Sequence, residues 1–222
     1  MNIEQQNWFS TPIWQVETEL PLSELRTLVK KIREKDPEGT KISNVGGWQS
    51  RAYPNVCSKY EKDYGIADVM KPVIDLLNNL VLDCLYKLIK GATVEQQLGI
   101  PDDIKLINFW FNVNSRGNFN NLHNHRGGII SGVLYILIPD DNCGGISFQR
   151  TDKEIQYYLP PFLDKHNEFT SSMVTIKPKE GSLVLFPSWF NHRVEPSQSE
   201  NSRVSMSFNY TFTNFLGWGW ET

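Results

Sequence analysis

From residue 104 onward the chain alternates apolar and polar residues, and that change of period constrains its fold more than any other feature. In 104–114, Ile107, Phe109, Phe111 and Val113 fall on one face of an extended strand, with Asn108, Trp110, Asn112 and Asn114 on the other. The apolar face needs cover. The amide-bearing face must meet polar partners, because a buried amide without a hydrogen bond costs free energy. A nearly continuous apolar strand follows at 129–138, then the turn Asp140-Asp141-Asn142-Cys143-Gly144-Gly145 and a strand at 146–150. Further strands are predicted at 174–176, 182–186 and 203–212.

The first hundred residues read differently. Residues 8–18 predict an entering strand, with Pro12 near its start or at an edge. Leu25, Leu28, Val29 and Ile32 recur at helical spacing between the start signals Pro21 and Ser23 and the stop at Pro37 and Gly39. Residues 40–60 read as connection with a short strand around Trp48. A longer helix carries the stripe Val69, Val73, Leu76, Leu77, Leu80, Cys84 and Leu88, with Pro72 near its first turn and Gly91 as its stop. Helices followed by many strands predict a mainly β fold, a sandwich or jelly roll buttressed by N-terminal helices.

Composition narrows the function classes. The 222 residues are 40% hydrophobic, enough for a buried core, and nothing forces a second domain. The net charge of −3 comes without long runs of either sign, which argues against an extended nucleic-acid surface. Cys57, Cys84 and Cys143 form no C-x-x-C pair and no disulfide framework. With no apolar stretch of bilayer-spanning length, and no signal-like N-terminus, the expected setting is soluble and cytoplasmic.

The chain has four histidines. His123 and His125 are one residue apart at a strand end, flanked by Gly117 and by Gly127-Gly128, so their imidazoles are expected to point the same way. His192 lies at another strand end, and a distant third histidine is what a facial metal site with an open side needs. His-x-His also falls together by chance. Shortly after His192 comes the strand R-V-S-M-S-F-N-Y, with Arg203, Ser205, Ser207 and Asn209 on one face. Either that face is solvated at a sheet edge, or the arginine is buried and needs an anion. A carboxylate gripped by the guanidinium and an adjacent hydroxyl would meet that need.

Taken together, His123-x-His125, His192 and Arg203-x-Ser205 resemble the signature of the Fe(II)/2-oxoglutarate-dependent oxygenases, whose core is a double-stranded β-helix of the cupin-like jelly-roll type. T-P-I-W near the start, G-G-W-Q-S at 46–50, S-G-V-L-Y after the histidine pair, and G-S-L-V-L-F-P-S-W-F-x-H with R-V-S-M-S-F-N are similar to a branch of 2OG-Fe(II) oxygenases found in marine bacteria and cyanobacterial phages. The resemblance covers nearly the whole chain. It implies one oxygenase domain over 1–222, with strand and supporting helices in 1–103 and the β-helix core in 104–222. It implies His123, His125 and His192 as Fe(II) ligands, and Arg203 and Ser205 on the distal carboxylate of 2-oxoglutarate. Asn112, Asn114 and Tyr135 are further co-substrate candidates. Molecular oxygen and an unidentified substrate complete the reactants, and hydroxylation is the default outcome, of a prolyl-type or small-molecule substrate.

The departure is His125, where most of the superfamily carries a carboxylate; Glu195 or Asp141 is then a candidate to supply one. Two other readings stay open: a cupin-like three-histidine dioxygenase that does not use 2-oxoglutarate, and a non-catalytic β-sandwich binding module. His166 reads as a loop residue, Trp189 and Phe190 as barrel packing, and 151–172 as a substrate-covering loop. The Trp-rich end, F-L-G-W-G-W-E-T, suggests burial against the helices or a second subunit. Oligomeric state is left open.

Overall fold

Two antiparallel sheets face each other, and the helices cover the outer side of one of them. The computed structural model describes residues 10–54, 65–88, 104–152, 154, 157 and 167–213. In chain order the elements are β1 (Trp14–Glu17), α1 (Leu22–Lys35), β2 (Asn44–Val45), β3 (Trp48–Gln49), β4 (Tyr53–Pro54), α2 (Ile66–Leu88), β5 (Ile104–Asn114), β6 (Phe119–His123), β7 (Ile130–Leu137), β8 (Ile146–Gln149), β9 (Met173–Ile176), β10 (Ser182–Pro187), β11 (His192–Val194) and β12 (Arg203–Phe212). The seven-stranded sheet runs β1-β10-β7-β12-β5-β3, with β4 also on β5. The five-stranded sheet runs β2-β6-β11-β8-β9. This is the double-stranded β-helix that the sequence predicts.

The near-continuous apolar run of β7 follows from its place in the middle of the larger sheet, buried on both faces. Leu134 and Ile136 join Leu25, Leu28, Val29 and Ile32 of α1 and Met70, Val73, Leu77 and Val81 of α2 in the larger core. Val133 and Tyr135 turn inward and meet Phe148 and Phe186 in a smaller core between the sheets. β10 divides the same way, Leu183 and Leu185 outward, Val184 and Phe186 inward. Each such side chain contributes about 1.5–3 kcal/mol when fully buried.

Several local expectations are corrected. Ile107 does not share the core face of Phe109 and Phe111. Asn209 pairs with Asn108 but Tyr210 pairs with Leu106, so a bulge leaves Ile107 as the extra residue and puts Leu106 in the core. Pro72 lies inside α2, because the helix starts at Ile66. The fully buried stripe of α2 is Ile66, Met70, Val73, Leu77, Val81, Cys84 and Leu85, with Val69, Leu80 and Leu88 packed along its margin and Leu76 half-buried. Trp189 is 52% exposed and is not barrel packing, whereas Phe190 stacks near Phe148 at 5.1 Å. The entering strand is confined to Trp14–Glu17 among the described residues. His166, Cys57, Gly91, the tryptophan-rich end and most of 151–172 lie outside the described residues. Among the described residues no helix is long and apolar enough to cross a membrane.

Candidate functional site

The pairing of β6 with β11 brings the histidines together. His123, the last residue of β6, is the direct partner of His192, the first residue of β11. His125 lies beyond the strand, in a turn pinned by its N–H to the Ser188 carbonyl and by the Gly128 N–H to its own carbonyl. The ring centroids of His123 and His192 are 4.4 Å apart, with His125 at 5.2 Å from the first and 5.0 Å from the second. One ligating atom of each residue lies within 4.8 Å of the others, a separation suited to one shared metal ion.

Each ring is oriented through its other nitrogen. His123 Nδ1–H donates to the Asn121 carbonyl at 2.6 Å and His192 Nδ1–H to the Phe190 carbonyl at 2.9 Å. His125 Nδ1–H donates to Asn209 Oδ1. Those bonds leave the Nε2 lone pairs free for a metal. Burial lowers all three pKa values, to about 4 at His125 and about 3 at His192, where the neighbouring imidazoles add to the effect. At neutral pH the cluster is uncharged and ready to ligate.

From this cluster a cavity runs between the sheets to Arg203; His123, His125, His192, Arg203, Ser205, Asn112 and Tyr135 all line it. The register of β12 explains why. Arg203 lies opposite Asn114, Ser205 opposite Asn112 and Tyr135, Ser207 opposite Trp110 and Val133, and Asn209 opposite Asn108 and Ser131. Every second residue of three adjacent strands thus faces the smaller sheet.

Arg203 is 2% exposed. Its guanidinium donates to the Gly144 carbonyl and to Asn114 Oδ1 at 3.2 Å, and it lies 5.9 Å from the Tyr135 ring centroid. Its Nε has no partner, and no carboxylate among the described residues pairs with it. Burial pushes its pKa below the usual arginine value, while that of Tyr135 rises to about 12 for the same reason. A buried cation with an unused donor, on a cavity that ends in three imidazoles, fits a ligand that is anionic at one end and metal-chelating at the other.

Among the three clustered histidines and the co-substrate candidates Arg203, Ser205, Asn112, Asn114 and Tyr135, Asn114 is the one that does not line the cavity; it holds Arg203 instead. Ser205 is buried opposite Asn112, whose amide donates to Ser207 at 3.3 Å. Neither carboxylate considered for the metal joins the histidines among the described residues. Glu195 accepts from Ser147 and from Arg193, and Asp141 is exposed in its turn. Sequence reasoning put Asn209 on the right face but gave it no task. Its partner His125 is 84 residues away, and only strand register reveals that contact.

Residues 108–209 match the family model described as "Putative 2OG-Fe(II) oxygenase". No curated protein matches the sequence. Among solved structures, a prolyl-4-hydroxylase from Pseudomonas putida superposes with a TM-score of 0.53 at 18% identity, over 89% of this chain and 91% of that one. An oxidoreductase of the 2OG-Fe(II) oxygenase family from Burkholderia pseudomallei gives a TM-score of 0.56 at 9% identity, over 90% and 85%. HygX from Streptomyces hygroscopicus, solved with nickel, 2-oxoglutarate and hygromycin B, gives 0.54 at 12% identity, over 95% and 86%. At these identities the superpositions establish the shared fold.

Proposed function

We propose that this chain, whose residues 108–209 match the model of the 2OG-Fe(II) oxygenase family, is a hydroxylase whose His123, His125 and His192 hold Fe(II) and whose Arg203 and Ser205 hold the distal carboxylate of 2-oxoglutarate. The single observation that carries the assignment is Arg203, a fully buried guanidinium with an unpartnered Nε and no acidic neighbour among the described residues. Such a group costs several kcal/mol when left uncompensated, so its retention calls for an anion.

Bound Fe(II) with 2-oxoglutarate supplies oxygen activation coupled to loss of carbon dioxide and formation of succinate. The chain's own residues bind, orient and shield. Arg203 gives the co-substrate its direction, with Gly144 and Asn114 holding the guanidinium in place and Ser205 beside it. Asn112 and Tyr135 complete the walls. Phe148 and Phe186, 5.9 Å and 4.7 Å from the His192 ring, keep the inner side of the imidazole cluster dry. No residue here is needed as a general acid or base; positioning carries the contribution.

The substrate class proposed is a prolyl-type or small-molecule one. Support comes from fold neighbours that include a prolyl-4-hydroxylase and a protein holding hygromycin B. The absence of a carboxylate from the described ligand cluster also suits a three-histidine dioxygenase that does without 2-oxoglutarate. Arg203 on the same cavity favours the first reading. Anaerobic addition of Fe(II) and 2-oxoglutarate separates the two: a visible charge-transfer band, lost in Arg203→Ala and His192→Ala, is expected. No band, with oxygen uptake but no succinate, would move the assignment to the second.

A further inference from the structure

The three imidazoles are not held alike. His123 and His192 each donate to a backbone carbonyl two residues before them, a support that comes with their local chain path. His125 depends on a side chain from another strand, Asn209 of β12. It is also the ligand candidate that lies beyond a strand end, in a turn and not in a ladder.

Asn209 is in turn fixed by a chain of hydrogen bonds with a single direction. Its Nδ2 donates to Asn108 Oδ1 at 2.9 Å, which leaves Oδ1 to face His125 and Ser131. Ser131 Oγ–H donates to Asn209 Oδ1 at 2.7 Å. Since Ser131 has spent its one proton there, the 2.7 Å contact between Ser131 and Ser188 must be donated by Ser188. Both serines are fully buried, so water offers no competing arrangement. Ser188 also anchors His125 through its carbonyl, which closes the chain on the residue it serves. With Oδ1 thus turned towards the ring, Nδ1 of His125 has to carry the proton.

We propose that Asn209 is the positioning residue that makes His125 a metal ligand: held by Asn108 and Ser131, it fixes the Nδ1–H tautomer and leaves Nε2 as the lone pair aimed at the cluster. The metal half of this inference rests on the function proposed above; the tautomer half does not. At the ligand position where the superfamily usually has a carboxylate, this chain substitutes an imidazole whose orientation is set by an amide and two hydroxyls. Removal of such a supporting partner typically costs 10–100-fold in metal affinity.

The test uses Asn209→Leu, which is close in size but cannot accept a proton, and Asn209→Asp, which accepts more strongly. Long-range nitrogen–proton NMR of the metal-free protein reads the tautomers. His125 is expected wholly as Nδ1–H in the wild type and in Asn209→Asp, and as a mixture in Asn209→Leu, with His123 and His192 unchanged in all three. Calorimetric titration with Co(II) alone is expected to show about 10–100-fold weaker binding in Asn209→Leu, and binding at least as tight as wild type in Asn209→Asp. An unaltered tautomer with Co(II) affinity within about twofold in Asn209→Leu would overturn the proposal. So would an Nε2–H tautomer in Asn209→Asp, the outcome that decides the matter should the leucine variant not fold. Correct tautomers without Co(II) binding in the wild type would leave the positioning role standing and instead remove the metal reading on which the function rests.

Discussion

Arg203 couples two quantities that pull in opposite directions. Empty, the site keeps a buried cation without a counter-charge among the described residues, and that lowers the stability of the fold. Occupied, on the function proposed, the same cation directs the co-substrate. Arg203→Met is therefore expected to melt no lower than the wild type without ligand, despite losing its bonds to Gly144 and Asn114. Thermal melting with and without 2-oxoglutarate reads both sides: the wild type should gain stability on adding ligand, and the variant should gain none. The histidines follow a simpler rule. His192, 3% exposed and central to the cluster, cannot be replaced without loss, so His192→Ala should abolish stoichiometric Co(II) binding in the calorimeter. If His125 is the ligand proposed, His125→Asp adds a negative charge to the metal's own set of ligands, and Co(II) binding should tighten. If His125 only neighbours the metal, the same substitution will leave the affinity where it was.

At the scale of elements, the strands set the site and the helices set the stability. β7 crosses the centre of the larger sheet with Gly132 beneath Phe208; a Cβ there would meet the Phe208 ring at 2.4 Å and the Val184 carbonyl at 2.9 Å. Gly132→Ala is expected to cost about 1–3 kcal/mol by overpacking, measurable as a lower denaturant midpoint. In α2 the buried thiol of Cys84 has its pKa raised to about 12 by burial, and Tyr210, bonded to Asn78 of the same helix, is raised as well. In the unfolded chain both groups ionise earlier. Above about pH 9 the unfolded state therefore binds fewer protons than the folded one, and stability falls as pH rises towards 12. An alkaline denaturation series should show this limb, and Cys84→Ala should flatten it.

The elements also show what could be read without coordinates. Alternation placed Arg203, Ser205, Ser207 and Asn209 on one face, and their register against Asn114, Asn112, Trp110 and Asn108 follows from antiparallel pairing. It did not reveal the bulge at Ile107, because one inserted residue reverses the faces without changing the composition. The start of α2 was misplaced for a related reason. Pro72 reads as a first-turn residue, yet packing of Ile66 and Met70 extends the helix ahead of it. Side-chain links between distant strands, such as Asn209 to His125, leave no periodic trace at all.

For the whole molecule, the early chain is part of both sheets. β1 pairs with β10, β3 and β4 pair with β5, and β2 pairs with β6, the strand that ends at His123. Removal of residues 10–54 would bare the edges of β10, β5 and β6 together, and such a truncation is expected to aggregate rather than survive as a weaker enzyme. The two sheets share the cavity: the smaller brings His123 and His192, the larger brings Arg203, Ser205, Asn112 and Tyr135. The account stands on those two ends serving one co-substrate. The most direct measurement is calorimetric titration of 2-oxoglutarate into anaerobic, Mn(II)-loaded protein, wild type against Arg203→Met. Stoichiometric binding in the wild type, weakened by about 2–5 kcal/mol in the variant, is the predicted result. Equal affinity in the two proteins, or no binding by the metal-loaded wild type, would contradict it.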